Sequence, residues 1–168
     1  MERILGIDPS LRGTGFAVLE GNARSARCLH FGVVKNSAKL SVSQCLREIH
    51  RALDEAIATF QPQGMAIETT IYVQSYQTAI VLGAARGAAL LAAAQRDLPI
   101  YEYAPRKIKQ AVVGRGGVAV RPVRARTINA TCSFCAPPPD AADAIAIALT
   151  HYQAHASALA RRESLPTV

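Results

Sequence analysis

The amino-acid sequence predicts an α/β fold with five strands, the last two of which alternate with helices. The predicted order is three strands, a helix, a strand, a helix, a strand and then further helices. This order indicates an initial antiparallel meander followed by parallel strands joined through helical crossovers. Hydrophobic residues make up 50% of the 168 residues, enough to bury a full core. No internal repeat or interdomain linker interrupts the order, so a single domain is expected.

Three strands are predicted at the start of the chain. Residues 3–8 are nearly all apolar, which is typical of a strand covered on both faces, and this strand ends at Asp8. A turn containing proline and glycine follows, and residues 15–20 resume as a second strand, so the two form a hairpin. Residues 26–35 are predicted as the third strand.

Two helices separated by a strand are predicted in the middle of the chain. Between residues 41 and 60 apolar side chains recur at helical spacing, which indicates an amphipathic helix. Residues 64–68 form a strand that ends on Glu68. Residues 75–96 form a helix rich in alanine and glycine. Its small side chains favour either close packing in the core or the seam of a dimer.

The last third of the chain continues the alternation. A strand over 98–104 leads into a short helix over 105–113, which opens with proline at a favourable first-turn position. A glycine-rich loop comes next, and a further helix is predicted after Pro122. The final helix is predicted to begin at Asp140 and to end at about Arg161.

Composition narrows the class of protein. Residues 1–161 are expected to form the single domain and residues 162–168 a flexible tail. The N-terminus has no signal-peptide pattern, and no run of 18 apolar residues suggests a membrane span. Four cysteines are few for a disulfide framework. We therefore expect a cytoplasmic protein that does not span a membrane.

The charge distribution predicts an anionic partner. The net charge is +7, and no acidic residue lies between Glu102 and Asp140. Seven cations lie in that interval: Arg106, Lys107, Lys109, Arg115, Arg121, Arg124 and Arg126. We interpret them as a phosphate-facing surface; the alternative is a solvated basic face.

Four acidic residues are placed where they could meet. Asp8 and Glu68 each end a predicted strand, and parallel neighbours would bring both carboxylates to one edge of the sheet. Asp140 and Asp143 are three residues apart at the start of the last helix and share a face. Converging carboxylates repel unless cations bind. Two Mg²⁺ ions ~3.5–4 Å apart can activate water and stabilise the leaving oxygen in phosphodiester cleavage.

Each of these acids also has a purely structural explanation. Asp8, which precedes a proline, could begin a turn. Glu68 could be an exposed residue at a strand end. Asp140 could serve as a helix N-cap with Asp143 at the third helical position, where both would suit the helix dipole.

Several separated segments together resemble one family. They are ILGIDPSLRGTGFAVLE, AIETT, LGAARGAALLAAA, YEYAPRKIKQAVVG and DAADAIAIALTHY, which occur in order over about residues 3–153. Together they resemble RuvC-type Holliday-junction resolvases. The resemblance implies a ribonuclease H-like fold, with helices on both faces of a mixed five-stranded sheet, and a homodimer. It implies magnesium-dependent nicking of two symmetric strands of a four-way DNA junction, in homologous recombination and DNA repair.

The resemblance also implies roles for individual residues. The catalytic and metal-binding carboxylates fall on Asp8, Glu68, Asp140 and Asp143, with two Mg²⁺ ions expected and Mn²⁺ able to substitute. A functionally important family lysine falls on Lys109. The residues expected to contact DNA are Lys109, Arg106, Lys107, Arg115, Arg121, Arg124, Tyr72 and Ile71. A branch-migration motor complex is a further candidate partner.

The chain departs from the family pattern in its loops. Ser10 stands where the family has glycine, so a non-glycine residue must adopt the backbone conformation of the turn after Asp8. The other departures are Ile71 in place of an aromatic residue and followed by Tyr72, Ser75 in place of asparagine, and Val120 in place of lysine, for which Arg115 or Arg121 could substitute. The metal site is therefore expected to be intact, whereas the sequence preference of cleavage is not predicted.

Two other patterns are given structural interpretations. Cys132 and Cys135 have CxxC spacing, but no second pair lies nearby to complete a zinc site. His151 and His155 are one helical turn apart, and HYQAH lacks the glutamate of the zinc-protease motif. We therefore predict two histidines on a helix surface.

Two alternative functions remain open at this stage. A non-catalytic junction-binding protein could be built on the same scaffold. The segment GIDPSLRGTG also resembles the first phosphate loop of sugar kinases and actin-like ATPases. Those proteins enclose a nucleotide between two lobes, and 168 residues supply one.

Overall fold

The computed structural model describes residues 1–69, 75–113, 119–122 and 137–161. In chain order the elements are β1 (Glu2–Asp8), β2 (Gly13–Gly21), β3 (Ser25–Lys35), α1 (Val42–Phe60), β4 (Gly64–Glu68), α2 (Tyr76–Ala94), β5 (Ile100–Tyr103), α3 (Pro105–Val113), β6 (Ala119–Pro122) and α4 (Pro139–Arg161). The predicted α/β class and its five strands are confirmed. The predicted tail at 162–168, the glycine-rich loop and the helix after Pro122 lie outside the described residues.

The strands form one mixed sheet in the order β5-β4-β1-β2-β3-β6. β1, β2 and β3 are antiparallel neighbours, whereas β4 is parallel to β1 and β5 is parallel to β4. β6 pairs in parallel with β3 and extends the expected five-stranded sheet at that edge. The sequence does not predict β6, because its four residues are too few to show an alternating pattern.

Helices cover both faces of the sheet, as the resemblance implies. On one face, α1 and α2 pack against a core that includes Leu5 and Ile7 of β1. On the other face, α4 packs against a core that includes Ile4 of β1 and Leu19 of β2. Successive residues of a strand point to opposite faces, so a strand covered on both sides is apolar throughout. This explains the unbroken apolar run of β1.

α1 begins and ends where its flanking residues stop the helix. The Ser41 hydroxyl accepts a hydrogen bond from the backbone N–H of Gln44, whose side chain accepts one from the Ser41 N–H, forming a capping box. After Phe60, Gln61 adopts a left-handed φ of 48° and its N–H donates to the Ile57 carbonyl. The predicted amphipathic helix is therefore confirmed.

α2 has one face in the core and one apolar face exposed. Its buried face consists of four alanines: Ala85, Ala89, Ala92 and Ala93. On the outside, Tyr76, Ile80 and Leu91 are 91%, 71% and 51% exposed. By length and composition alone α2 would qualify to cross a membrane, a weak indication because core helices pass the same test. The absence of a membrane span stays a prediction.

α4 contradicts one expectation from the sequence. His151 is fully buried and is therefore not a helix-surface histidine. It is buried because α4 lies across the sheet, with this residue packed beside the rings of Tyr101 and Tyr103 of β5. His155, one turn later, keeps 41% of its side chain exposed.

Candidate active site

Asp8 and Glu68 end adjacent parallel strands. β1 and β4 pair in register at Ile7 and Ile67, so the next residue of each strand lies at the same edge of the sheet. The carboxyl edge of parallel strands is where α/β proteins place ligand sites. The strand pairing therefore confirms the prediction that Asp8 and Glu68 lie at the same edge of the sheet.

Two glycines of β2 allow the first turn of α4 to reach this edge. Gly15 is paired with Asp8, and a Cβ atom at position 15 would overlap the backbone carbonyl of Asp140. At Gly13, a Cβ atom would lie 3.0 Å from Oδ2 of Asp140. A side chain at position 15 would push the helix away. Gly13 and Gly15 therefore set how close Asp140 lies to the ends of the strands.

The carboxylates act on one another electrostatically. The pKa of Asp8 is raised from 3.8 to about 6, first by burial and then by the negative charges of Asp143, Glu68 and Asp140. The pKa of Glu68 is also raised, by burial and by Asp143, while the positive charge of Lys109 opposes the rise. The structure thus brings the four predicted acids within electrostatic range of each other, with Lys109 beside them.

Asp140 is not the N-cap that the structural interpretation supposed. α4 starts at Pro139, so Asp140 lies inside the first helical turn. The first helical hydrogen bond runs from the N–H of Ala142 to the carbonyl of Pro138 at 2.9 Å. The cap position precedes Pro139, which suits the first position because proline lacks an N–H to satisfy. The Asp140 carboxylate is therefore not needed as the capping residue.

The turn after Asp8 is held by a buried threonine. Thr14 is fully buried, and its hydroxyl donates to the Ser10 carbonyl at 2.6 Å and accepts from the Ser10 N–H at 3.2 Å. Within the described part of the chain, the non-glycine residues with positive φ are Gln61 and Asp97. Ser10 therefore takes this turn without left-handed backbone, and replacement of the family glycine introduces no such strain.

A second set of hydrogen bonds anchors the same turn to the start of α1. The side-chain amide of Asn36 is buried and donates to the carbonyls of Leu11 at 2.8 Å and Cys45 at 3.2 Å. Arg12 donates to the carbonyl of Leu40 at 3.2 Å. Sequence reasoning missed both anchors, since their partners are backbone atoms that only the folded chain brings near.

Arg86 supports the end of β4 from α2. Its guanidinium donates to the Glu68 carbonyl at 3.0 Å and forms an ion pair with Glu102 of β5. The Arg86 side chain is only 14% exposed. Sequence reasoning missed this residue too, although a single cation within an otherwise uncharged helix was the available signal.

The residues predicted to bind DNA are only partly described. Arg106, Lys107 and Lys109 are exposed on α3, and Nζ of Lys107 lies 5.4 Å from the ring centroid of Tyr103. Arg121 is on β6, at the sheet edge opposite β5. The remaining predicted contacts lie outside the described residues: Ile71, Tyr72, Arg115 and Arg124. Arg126 and the Cys132–Cys135 pair also lie outside them.

By sequence, the chain is similar to one family along most of its length. Residues 4–151 match the family model described as crossover junction endodeoxyribonuclease RuvC. The crossover junction endodeoxyribonuclease RuvC of Akkermansia muciniphila is 47% identical over 150 residues, which cover 89% of each chain. The protein of that name from Vibrio vulnificus is 41% identical over 151 residues, covering 90% of this chain and 87% of its own.

Solved structures agree with the sequence similarity. T. thermophilus RuvC, in a structure described as a complex with Holliday junction substrate, matches with a TM-score of 0.77 and 30% identity, covering 94% of this chain and 97% of its own. The yeast mitochondrial Holliday junction resolvase Ydc2 matches with a TM-score of 0.59 at 10% identity, a likeness of fold alone. The ribonuclease H-like fold expected from the sequence is confirmed.

Proposed function

Because the chain belongs to the RuvC family of crossover junction endodeoxyribonucleases, we propose that Asp8, Glu68, Asp140 and Asp143 form its catalytic centre. The protein is an endonuclease that resolves Holliday junctions in DNA recombination and repair. The observation that carries the residue assignment is that Asp8 and Glu68 end paired parallel strands and that the first turn of α4, with Asp140, packs against Gly15, the strand partner of Asp8. The negative charges of the other three carboxylates accordingly add to burial in raising the pKa of Asp8 to about 6. Such crowding of negative charge at a sheet edge favours cation binding over a purely structural role.

We further propose Mg²⁺ as the metal, with two ions per site. The donors are carboxylate oxygens, which hard divalent cations prefer, and Mn²⁺ is expected to substitute because it accepts the same ligands. Asp8 and Glu68 would hold the ions from the strand ends, and Asp140 and Asp143 would complete the ligand set from α4. When bound, the ions supply an activated water and charge stabilisation for the leaving oxygen of the phosphodiester.

The protein's own groups position the DNA strand at this centre. The positive charge of Lys109 opposes the rise in the pKa of Glu68, and we assign this lysine to a phosphate of the bound strand. Arg106 and Lys107 are exposed on the same helix and extend the positive surface. Phosphate contacts of this kind orient a protein on DNA without reading sequence. In-line attack by water would leave nicks with a 5′-phosphate and a 3′-hydroxyl, which a ligase can seal.

A homodimer is the proposed assembly, with α2 in the interface. Ile80 and Leu91 are exposed on its outer face, and a Cβ atom at Gly83 or Gly87 would meet nothing within 4 Å. The two glycines are four residues apart and so share that face, where a second helix could approach closely. A twofold dimer would present two equal sites to a junction with near-twofold symmetry. A branch-migration motor and a cytoplasmic location remain expectations.

The test is cleavage of a synthetic four-way junction by the purified protein. With Mg²⁺ we expect paired nicks in symmetric strands, and with Ca²⁺ we expect binding with little cutting. The Asp143→Asn variant should lose at least about 100-fold in cleavage rate and keep junction binding, since only the metal site loses a ligand. The matched control is Asp54→Asn on α1, whose carboxylate pairs with Arg96 far from this edge. Near-normal cutting by Asp143→Asn would refute the assignment of that residue, and a gel shift without nicks in Mg²⁺ would favour a non-catalytic binder.

A further inference from the structure

A second cluster of potential ligands lies at the far end of α4 from the four acids. Glu2, at the start of β1, faces His151 and His155 of α4. Oε2 of Glu2 lies 3.2 Å from Nδ1 of His155, and Oε1 lies 3.6 Å from Nε2 of His151. One ligand atom from each of the three residues lies within 4.8 Å of the other two.

The buried nitrogen of His151 lacks a hydrogen bond. His151 is fully buried, and within the described part of the chain its Nε2 atom has no hydrogen-bond partner. The distance of 3.6 Å to Glu2 is too long for such a bond. A polar atom left unpaired in the interior costs free energy, and each such atom in a native fold calls for an explanation. A ligand between Nε2 and the Glu2 carboxylate supplies one.

We propose that Glu2, His151 and His155 bind one divalent transition-metal ion, Zn²⁺ above all, at a site separate from the carboxylate centre. Two imidazole nitrogens and one carboxylate form a ligand set that zinc takes and that magnesium disfavours. The separation is about 12 Å along the helix, since His151 lies eight residues after Asp143 at a rise of 1.5 Å per residue. This ion would therefore share no ligand with the ions of the carboxylate centre.

The ligand spacing fits a tetrahedral ion. Metal–nitrogen and metal–oxygen bonds of about 2.0–2.1 Å place tetrahedral ligand atoms about 3.4 Å apart. The distances of 3.2 Å and 3.6 Å run from the two different carboxylate oxygens of Glu2, and with one ligand atom from each residue the three atoms lie within 4.8 Å of one another. Small side-chain rotations would bring such a set to the tetrahedral spacing. The His155 side chain is 41% exposed and can rotate to close the third separation, and Glu2 is 29% exposed. Solvent can therefore reach the fourth position, which a water molecule would fill.

Tyr103 orients His151 for this role. Its hydroxyl lies 2.9 Å from Nδ1 of His151, so the Nδ1–H can donate to the Tyr103 oxygen and leave the Nε2 lone pair facing Glu2. A metal-binding histidine usually donates its other N–H in this way. Glu2 is also held in place, because the Tyr152 hydroxyl donates to its backbone carbonyl at 2.9 Å.

The ion would join the first residue of β1 to the last half of α4. That helix also carries Asp140 and Asp143, so the bound ion would stabilise the packing of the element that completes the catalytic centre. The effect is on stability. Neither histidine is placed to reach a DNA phosphate held by the acids.

The test is metal binding by the metal-free full-length protein, measured with Zn²⁺ by calorimetry and with Co²⁺ by its visible absorption. The variants are Glu2→Gln and His155→Gln, each checked for folding by circular dichroism. Both substituted residues are partly exposed, so both variants should fold. The matched control is His50→Gln on α1, which removes a histidine that contacts Gln95 and not this cluster. All the proteins keep the four acids and the cysteines. Zn²⁺ binding at those residues is therefore the same in each and drops out of the comparison.

Wild-type protein and His50→Gln should bind one more ion per chain than Glu2→Gln or His155→Gln, with a tetrahedral Co²⁺ spectrum. At a Zn²⁺ concentration 100-fold above Kd, the midpoint of thermal unfolding should rise by about 5–10 °C more than in either variant. The same stoichiometry, affinity and midpoint increment in all four proteins would overturn the proposal and leave the cluster as a metal-free contact of Glu2 with the two histidines. A deficit in both variants with His50→Gln unaffected supports it.

Discussion

The backbone carbonyl of Asp140 occupies the place where a Cβ atom of residue 15 would stand, so α4 rests directly on Gly15 of β2. Gly15 is in turn the strand partner of Asp8. The same packing recurs one strand over, where a Cβ atom at Gly6 would overlap the carbonyl of Ala144. The lack of a Cβ atom at Gly6 and Gly15 therefore sets the distance between α4 and the sheet. That distance in turn sets the position of Asp140 and Asp143.

Gly15→Ala should displace the first turn of α4. We expect a loss of about 1–3 kcal/mol in the free energy of unfolding, because added volume in a tight contact forces the backbone to move. Metal-dependent cleavage should fall by a larger factor than junction binding. The acids of α4 would move away from Asp8 and Glu68, whereas α3, with its exposed basic residues, would keep its place. Urea unfolding and junction cleavage measure the two effects.

Ser43→Ala, on the exposed face of α1, is the control and should change stability by no more than about 0.5 kcal/mol. A cleavage rate of Gly15→Ala equal to that of the wild type would show that α4 can shift away from the sheet without displacing Asp140 and Asp143.

The stability of the metal-free protein should depend on the ionisation of Asp8. The folded-state pKa of about 6 lies above the 3.8 of the free side chain, so the folded chain binds more protons than the unfolded chain between these values. Stability should therefore fall as pH rises from about 4 to 6. The change should be about 1–2 kcal/mol once partial solvent screening is allowed for.

Urea unfolding in chelator between pH 4 and 7 measures this slope, and Asp8→Asn should reduce it. Added Mg²⁺ should oppose the fall at the upper end of the range, because a bound cation favours the ionised carboxylate. A slope that is the same in wild type and Asp8→Asn would assign it to other groups.

Arg86→Gln should destabilise the protein by about 1–3 kcal/mol, as measured by urea unfolding. The change removes the bond to the Glu68 carbonyl and leaves Glu102, whose side chain is 27% exposed, without its ion-pair partner. It should also reduce cleavage, because the end of β4 carries Glu68.

The matched control is Arg96→Gln, which breaks an ion pair with Asp54 whose side chains are 44% and 35% exposed. An exposed pair contributes about 1 kcal/mol or less. Equal losses from the two variants would show that the inner ion pair gives no added support.

Lys109→Ala should weaken cleavage by about tenfold or more, with a smaller loss in junction binding, because the lost charge lies beside Glu68. The slope of log affinity against log salt should become shallower by about 0.9 if one phosphate contact is lost. Lys39→Ala, an exposed lysine in the loop before α1, is the control. An unchanged slope with intact cleavage would place Lys109 away from the DNA.

Ile80→Glu should convert the proposed dimer to a monomer, because it places a charge on the exposed apolar face of α2. Sedimentation equilibrium gives the mass, and paired nicking should change to independent single nicks. Ser43→Glu on α1 is the control for an added surface charge. A dimer that survives Ile80→Glu would place the interface elsewhere.

Local sequence patterns were sufficient for most elements and for the choice of the four acids that we propose as catalytic. The apolar run of β1 and the helical spacing of α1 are properties of neighbouring residues, so they can be read without the fold. Asp8 and Glu68 were identified because each ends a strand, and Asp140 and Asp143 because they share one helix face. The short β6 could not be predicted, since its pairing with β3 depends on a partner far away in the chain.

By itself, then, the sequence determined the α/β order and the family, and it singled out the four acids proposed for the catalytic centre, because hydrophobic periodicity and motif spacing are local. Only the tertiary structure decided that Asp140 lies inside a helix started by Pro139, that Thr14 and Arg86 hold the strand ends, and that His151 is buried opposite Glu2. The physical reason is that burial and pairing depend on which face each element turns to its neighbours. That orientation follows from packing α4 onto two glycines in different strands.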